Sequence, residues 1–282
     1  MKSGNLNPRA ILGEKSALAG LIIVLFVMFV AILAPVISPA DRFQKQNLAQ
    51  YLEPPSKSHY FGTDELGRDL FSRVLYGART SLALGILPIL FATAVGIVIG
   101  MTSGYAGGRI DEVVMRITDL LISVPYFLLA ILIVASFGPN LVNAMFAVGV
   151  SFIADFIRMI RASTLAAREE DYVRAEKALG AGHLRIMFGH ILPNIISPIL
   201  VLVTLKISEA ILAAAALSFI GLGAQPPTPE WGLMLAGTRE YLLAAPYLMI
   251  FPGVAIIVTS LGFNLLGDGL RDLLDPRYKG LI

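Results

Sequence analysis

The stretch Arg168-Glu-Glu-Asp-Tyr-Val-Arg-Ala-Glu-Lys-Ala-Leu-Gly-Ala-Gly-His-Leu-Arg-Ile-Met-Phe-Gly-His-Ile-Leu-Pro-Asn194 is a charged, helix-prone segment between long apolar ones. Glycine is costly inside a helix and common just past its end. Gly180-Ala-Gly182 therefore predicts a sharp turn between two helices. We expect this segment to lie outside the membrane and to be tied at both ends to membrane-spanning helices, so that a separate protein can push on them.

Composition places the rest of the chain in a membrane. Of the 282 residues, 56% are hydrophobic and 15% are charged, whereas soluble domains carry about 25% charged residues. The net charge of +2 comes without a basic block of the kind that binds nucleic acid. Cysteine is absent, which excludes disulfides and thiolate chemistry. The histidines lack cysteine or acidic partners at ligand spacing, so we expect no metal site; they are His59, His183 and His190.

Long apolar runs predict six membrane-spanning helices, each long enough for a hydrocarbon layer of about 30 Å. The first run is too long for a signal peptide, so we expect it to be retained. Residues 137–140, which read Phe-Gly-Pro-Asn, divide a run that is too long for one span. Residues 233–246 are predicted to form a short interfacial helix, with Trp231 and Tyr241 as anchors. The predicted spans are 17–37, 81–103, 113–136, 141–160, 195–220 and 247–266.

Lysine and arginine predict the orientation. With the N terminus inside the cell, the inside segments hold fourteen of these residues and the outside segments seven, and Lys206 lies within a span. This bias favours a cytoplasmic N terminus and, with six spans, a cytoplasmic C terminus. Residues 41–79 carry six basic residues on the outside, but five acidic residues accompany them. Segment 168–194 is then cytoplasmic.

The chain carries no recognisable catalytic motif. Gly13-Glu-Lys-Ser16 lacks the spacing of a phosphate-binding loop, so we expect no ATP site of that kind. No paired carboxylates, nucleophile elbow or metal-ligand set is evident, and we predict no catalytic residues. A membrane protein without its own energy source needs a separate one, and two short helices at a fixed angle are suited to dock in a groove of such a protein.

Lys206 and Glu209 are the ionisable residues deepest within the predicted spans. They are three residues apart and therefore share a helix face. Two interpretations stay open. The pair neutralises itself against a partner helix, or it lines a polar translocation path and touches the cargo, as intramembrane charges often do.

Segment 168–194 resembles the cytoplasmic coupling motif of permease subunits of ATP-binding-cassette importers, in the dipeptide, oligopeptide, nickel and glutathione branch. The family writes this motif as Glu-Ala-Ala, three residues, Gly, and a later Leu-Pro. Its triplet falls on Arg174, Ala175 and Glu176, so an arginine stands where the family has its leading glutamate. The other matching positions are Ala178, Leu179, Gly180, Ala181, Gly182, Leu192 and Pro193.

Two further motifs carry the resemblance, which covers the chain from about residue 15 to its end. Residues 59–73, which read His-Tyr-Phe-Gly-Thr-Asp-Glu-Leu-Gly-Arg-Asp-Leu-Phe-Ser-Arg, are similar to the signature between the first two spans in this branch. Its glycines and its Arg-Asp pair predict a folded turn with internal ion pairs. Residues 221–232 and 264–277 also look like this branch.

The resemblance implies an all-α polytopic protein with the type I importer permease fold. Residues 1–79 would form an N-terminal region with the first span and an external segment. Residues 80–268 would form the permease core, with its coupling loop at about 165–194, and residues 269–282 a cytoplasmic tail. The implied site is the ten-residue coupling set named above.

The same resemblance implies the partners, cofactors and location. The partners are a homologous second permease subunit, one or two ATPase subunits, an external substrate-binding protein and membrane lipids, and nucleic acid is not among them. ATP and Mg²⁺ are used by the ATPase subunits, and this chain binds no cofactor. The chain would lie in the plasma membrane, either a bacterial inner membrane or an archaeal cell membrane.

Other functions stay open on the sequence. Peptides are the first choice of cargo, and nickel or metal chelates and glutathione are the alternatives within the same machinery. A self-sufficient secondary transporter or channel would be expected to show inverted repeats, broken helices or buried proton relays. A membrane scaffold would not need a jointed hairpin at a fixed distance from Leu-Pro.

Overall fold

The computed structural model describes residues 14–274, and all their regular elements are helices apart from one isolated bridge between Thr63 and Asp69. The head residues Lys2 and Arg9 and the end of the tail motif, residues 275–277, lie outside the described residues. The principal helices are α1 Lys15–Ile37, α2 Leu70–Ala106, α3 Gly108–Ser123, α4 Tyr126–Phe137, α5 Leu141–Arg168, α6 Asp171–Ala178, α7 Leu192–Phe219, α8 Trp231–Gly237 and α9 Tyr247–Leu274.

Five helical segments are long and apolar enough to cross a membrane, namely α1, α2, α5, the continuous segment Arg185–Phe219 and α9. A sixth crossing is completed if α3 and α4, which are bent by 88°, count as one broken span. At 16 and 12 residues, neither of these two helices reaches the roughly 20 residues that a crossing needs. The predicted count of six spans is therefore met only if α3 and α4 cross the membrane together.

The third span was predicted as one continuous helix over residues 113–136, and this prediction is wrong. Val124 has an extended backbone, with φ −97° and ψ 126°, and Pro125 follows it. A proline disfavours the helical conformation in the residue before it and donates no backbone hydrogen bond. The chain therefore turns at Val124–Pro125, between α3 and α4.

Helices α2, α5 and α9 extend beyond the spans that were predicted for them. Helix α2 begins at Leu70, eleven residues before the predicted start at 81, because Asp69 caps it by accepting the Ser72 N–H at 2.8 Å. Residues 70–79, which were predicted to be part of the external segment, are therefore helical. Helix α5 continues to Arg168 and α9 continues to Leu274, each through a more polar sequence than the predicted span.

Helices α2 and α5 pack closely against each other in the core. Gly96, Gly100 and Gly104 lie one turn apart on α2 and face α5. A Cβ at Gly100 would lie 2.8 Å from Ile157 O, and one at Gly96 would lie 2.5 Å from Phe156 Cβ. Small residues at this spacing let two backbones approach closely within a membrane.

The predicted interfacial helix over 233–246 is shorter and starts earlier, as α8 at Trp231–Gly237, with a single 3₁₀ turn at Arg239–Tyr241. The buried Glu230 carboxylate caps α8 by accepting the N–H groups of Gly232 and Leu233. It also accepts the Ser81 hydroxyl, which ties the 221–230 loop to α2. Burial raises the pKa of the Glu230 carboxyl.

Candidate functional site

The charged segment folds as the hairpin that the sequence predicts, and we call residues 171–191 the coupling hairpin. Its first helix, α6, ends in two backbone hydrogen bonds, from Gly180 N to Lys177 O and from Ala181 N to Glu176 O, each at 3.0 Å. This pair of bonds is the Schellman pattern, in which the first residue beyond the helix takes a left-handed conformation. The joint is thus fixed by backbone hydrogen bonds.

The two glycines of the joint differ, although the sequence predicts the same backbone freedom for both. Gly180 has φ +81°, a value that other residues adopt at a cost, whereas Gly182 has no such positive φ. Nothing lies within 4 Å of a Cβ built at either position. Gly180 is therefore required by its backbone angle, and Gly182 is not required on either ground.

The second half of the hairpin does not stop at Leu192-Pro193, where the family spacing predicts its end. Residues Arg185–Ile191 form a π-helical turn, and the Leu192 N–H donates to Met187 O, five residues back. Pro193, which lacks an N–H, lies where this π-helical turn passes into α7 without a break. The hairpin therefore runs directly into the fifth span as one continuous rod.

One side of the hairpin is anchored and the other is bare. Val173 and Ile186 are fully buried against the core. Leu179 is 82% exposed and Leu184 is 72% exposed, on either side of the Gly180 joint. Ala175, Ala178 and Gly182 are also exposed, while Ala181 packs against the core. Large apolar side chains on a fixed joint outside the spans are typical of a protein contact site.

Contacts from the end of α2 hold the joint in place. The Tyr105 hydroxyl lies 3.0 Å from His183 Nδ1, and Lys177 Nζ lies 5.3 Å from the centre of the Tyr105 ring. Arg168 Nη1 donates to Tyr105 O at 3.1 Å. The sequence analysis missed Tyr105, because a contact between residues 78 positions apart leaves no local pattern.

Arg174, which stands at the family's glutamate position, is solvent-facing. Its side chain is 64% exposed and its Nη2 lies 3.6 Å from Glu169 Oε2. Glu176 Oε2 lies 3.5 Å from His190 Nε2, across the hairpin. Within residues 14–274 no group of three or more His, Asp or Glu side chains is placed to hold a metal ion.

The second predicted site is a set of three charges. Lys206 Nζ on α7 lies 2.8 Å from Glu209 Oε2, as the spacing predicts, and also 2.8 Å from Asp155 Oδ2 on α5. We call Asp155, Lys206 and Glu209 the charge triad. Asp155 falls towards the end of the predicted span 141–160, but α5 runs on to Arg168, so Asp155 lies near the middle of the helix.

The triad continues as a ladder of ion pairs between α5 and α3. Arg158 Nη2 lies 2.5 Å from Asp119 Oδ1, and one turn further Arg161 pairs with Asp111. These pairs follow one face of α5 towards Arg168 and the coupling hairpin. A strip of ion pairs therefore runs along α5 from Asp155 to Arg161.

The chain matches two protein-family models. Residues 96–280 match the model of the binding-protein-dependent transport system inner membrane component, and residues 9–55 match that of the N-terminal TM domain of oligopeptide transport permease C. The chain belongs to the first of these families. It is a permease subunit of an ATP-binding-cassette importer, as the resemblance of its motifs implies.

Relatives of this permease are similar over nearly the whole chain. The dipeptide transport system permease protein DppC of Alkalihalophilus pseudofirmus is 45% identical, over 94% of this chain and 87% of that protein. The glutathione transport system permease protein GsiD of Pectobacterium atrosepticum is 43% identical, over 96% of this chain and 90% of that protein.

A solved structure supports the fold of the permease. The MetNI methionine ABC transporter, in an inward-facing conformation, superposes with a TM-score of 0.58. The match covers 72% of this chain and 97% of that one at 16% identity, so it speaks for the fold alone.

The segment between the first two spans of the permease has the internal ion pairs that its motif predicts. The buried Asp64 carboxylate accepts Arg68 Nε at 2.7 Å and lies 3.3 Å from Arg73 Nε. His59 Nδ1 lies 2.8 Å from Asp69 Oδ2. Tyr247 on α9 donates its hydroxyl to Glu53 O at 3.0 Å and holds the segment against the core. This segment is a folded unit joined to α2 and α9.

Proposed function

We propose that this permease forms half of the translocation pathway of an ATP-driven importer, and that its coupling hairpin is the docking site for an ATPase subunit. The observation that carries this proposal is the pair of exposed leucines, Leu179 and Leu184, on a joint fixed by backbone hydrogen bonds. Burying such side chains in a groove of a partner protein is favourable, and a rigid joint adds little ordering cost.

The continuous rod from Arg185 to Phe219 supports a direct mechanism. A push on the hairpin turns the rod, and the Tyr105 and Arg168 contacts carry the same displacement to α2 and α5. Because packed helices move as rigid bodies, α2, α5, α7 and the charge triad shift together. Such movement would alternately open the path to either side of the membrane.

The partners follow from this role. A homologous second permease completes the path, one or two ATPase subunits use ATP and Mg²⁺, and an external binding protein delivers the cargo. This chain would supply no catalytic residue and bind no cofactor. Both of its termini and the hairpin would lie in the cytoplasm, and the membrane would be a bacterial inner membrane or an archaeal cell membrane.

Peptides are the proposed cargo. Relatives named for dipeptide transport and for di/tripeptide transport are 43–45% identical to this chain. Glutathione is the second candidate, because relatives at 43–44% identity are named for it, and glutathione is itself a modified tripeptide. Nickel and metal chelates remain as a third choice, which the names of these relatives do not favour.

Copurification tests the docking site. We expect Leu179→Asp to lower recovery of the ATPase subunits with the detergent-extracted permease at least tenfold, because a charge cannot enter an apolar groove cheaply. The matched control is Leu243→Asp, since Leu243 is 99% exposed near the other end of the spans. Equal recovery of the ATPase with both variants would contradict the proposal.

A further inference from the structure

A cavity of about 200 Å³ lies between the segment that joins the first two spans, the start of α2 and helix α8. It has room for several water molecules, each of which takes about 30 Å³. It is smaller than the roughly 300 Å³ of the smallest pockets that enclose a whole drug-sized ligand. Its size therefore suits one end of a small molecule.

Arg73 is a buried arginine in the wall of this cavity. Its side chain is 7% exposed, and its Nε lies 3.3 Å from Asp64 Oδ2. Its Nη1 has no hydrogen-bond acceptor among residues 14–274. A buried donor without an acceptor is costly, and more so when it belongs to a charged group. Arg73 Nη1 therefore points to an acceptor from outside the described part of the chain.

The carboxylates nearest to Arg73 are already engaged. A carboxylate offers about four acceptor sites. Asp64 accepts two backbone N–H groups at Oδ1, and at Oδ2 it accepts Arg68 Nε and faces Arg73. Glu65 Oε1 accepts Arg68 Nη2 at 3.1 Å. Asp69 uses one oxygen to cap α2 and the other to contact a histidine. None of these three carboxylates is placed to accept Arg73 Nη1.

Four large apolar side chains also line the cavity, namely Leu70, Leu233, Met234 and Leu248. A ligand that fits carries an acceptor for the guanidinium next to an apolar group. Carboxylates form the strongest hydrogen bonds that arginine makes, together with phosphates. A phosphate monoester would bring a charge of about −1.5 to −2 beside Asp64 and Glu65, so a singly charged carboxylate suits the cavity better.

Building on the proposed function, we propose that this cavity binds the C-terminal residue of a peptide cargo, with Arg73 holding its carboxylate and the apolar side chains packing against its side chain. The proposed orientation puts the cavity on the external side of the membrane, where the cargo arrives. Every unmodified peptide ends in this carboxylate, so the site accepts peptides of varied sequence. It disfavours molecules in which the carboxylate is blocked.

Photo-labelling of the purified importer in lipid nanodiscs, without the external binding protein, tests the assignment. The probe is alanyl-photoleucine, a dipeptide whose C-terminal side chain carries a diazirine. Illumination should attach it to the segments that line the cavity, over residues 64–73 or 226–238. We expect alanyl-leucine to displace the probe. Alanyl-leucinamide, which lacks the carboxylate, should displace it about tenfold more weakly, the size of one hydrogen bond to a charged group.

Two variants and a control complete the design. Arg73→Lys keeps the positive charge but loses the forked donors, and it should lower labelling about tenfold. Gly237→Leu should lower labelling by narrowing the cavity, and it leaves Arg73 and its ion pair intact; nothing lies within 4 Å of a Cβ built at Gly237. The control is Gly253→Leu, at an equally open glycine on α9 that does not line the cavity. It should be labelled as the wild type is.

The outcomes separate this inference from the proposed cargo. Labelling that both cavity variants leave unchanged would overturn the carboxylate site, and so would equal displacement by alanyl-leucine and its amide. If the wild type takes no label and Arg73→Lys weakens docking of the external binding protein, the site belongs to an acidic side chain of that protein and the inference is wrong. ATP-driven uptake of alanyl-leucine is measured separately, and its absence in the wild type would overturn the peptide cargo.

Discussion

The coupling hairpin and the segment over residues 45–69 both turn on glycines with positive φ, but only one of them is complete within this chain. At Gly67 a Cβ would overlap Asn47 O, and at Gly62 it would lie 2.5 Å from Glu53 O. At Gly180 a Cβ would meet nothing within 4 Å. The first two glycines are enclosed by the protein itself, whereas the third is surrounded by open space.

Polar contacts repeat this contrast. Asp64, Arg68 and Arg73 are buried together in the 45–69 segment and the start of α2, whereas Arg174 and Glu169 beside the hairpin are exposed. Buried ion pairs hold a structure in one shape, while exposed ones contribute little. The contrast teaches that similar turn chemistry serves stability in one region and leaves a surface for a partner in the other.

The largest effect on stability is expected from Asp64→Ala. It would leave Arg68 and Arg73 buried without their shared carboxylate, which costs about 3–5 kcal/mol. Thermal unfolding of the purified permease in detergent measures this loss. The control Glu65→Ala removes a more exposed partner of Arg68 and should change stability by less than about 1 kcal/mol. Equal losses of stability in Asp64→Ala and Glu65→Ala would show that burial does not decide how much each ion pair contributes.

A smaller effect on stability, but a complete loss of uptake, is expected from Gly180→Val. A β-branched residue at φ +81° costs about 1–3 kcal/mol, and the joint would shift to relieve it. The amount of inserted permease should stay near the wild-type level while ATP-driven uptake is abolished. Gly182→Ala is the matched control and should transport normally. Normal uptake by Gly180→Val would remove the hairpin from the coupling mechanism.

Tyr105→Phe should have a still smaller effect on uptake and stability. The variant keeps the ring under Lys177 and loses only the hydrogen bond between the hydroxyl and His183, a contribution of about 1 kcal/mol. We expect uptake per ATP hydrolysed to fall about threefold, with stability nearly unchanged. Tyr60→Phe, at an exposed tyrosine of the other region, should change neither quantity. An unchanged uptake ratio in Tyr105→Phe would mean that α2 does not receive its motion through this contact.

The 45–69 segment and the coupling hairpin should also face opposite sides of the membrane. Substitutions at exposed positions can test this without affecting stability. Because the chain has no cysteine, Ser58→Cys and Ala178→Cys each introduce a single thiol at an exposed position. We expect a membrane-impermeant maleimide to label the first in intact cells and the second only after lysis. Labelling of both in intact cells would contradict the cytoplasmic N terminus and the six crossings.

Local features of the fold could be predicted from the sequence. The Gly180 turn, the first span and the ion pairs around Asp64 each depend on residues close together in the chain, and the structure confirms them. The bend at Val124–Pro125 was missed because the apolar run around it is long enough for a straight span, and run length outweighed one proline.

Long-range features could not be predicted in the same way. Asp155 and Lys206 are 51 positions apart, and only the packing of α5 against α7 brings them within 2.8 Å. The continuation of the hairpin through Leu192-Pro193 depends on a π-helical turn, for which the sequence has no specific signal. The contact between Asp155 and Lys206 is made by the fold, whereas the π-helical turn is local, with the Leu192 N–H donating to Met187 O.

Crosslinking from the tip of the hairpin tests the central claim most directly. Leu179→Cys would carry the only thiol of the chain at its most exposed apolar position on the hairpin. In membranes that contain the whole importer, a short thiol-reactive crosslinker should join this residue to an ATPase subunit, and ATP should change the yield. A thiol that is labelled from outside intact cells and forms no crosslink to the ATPase would contradict the account.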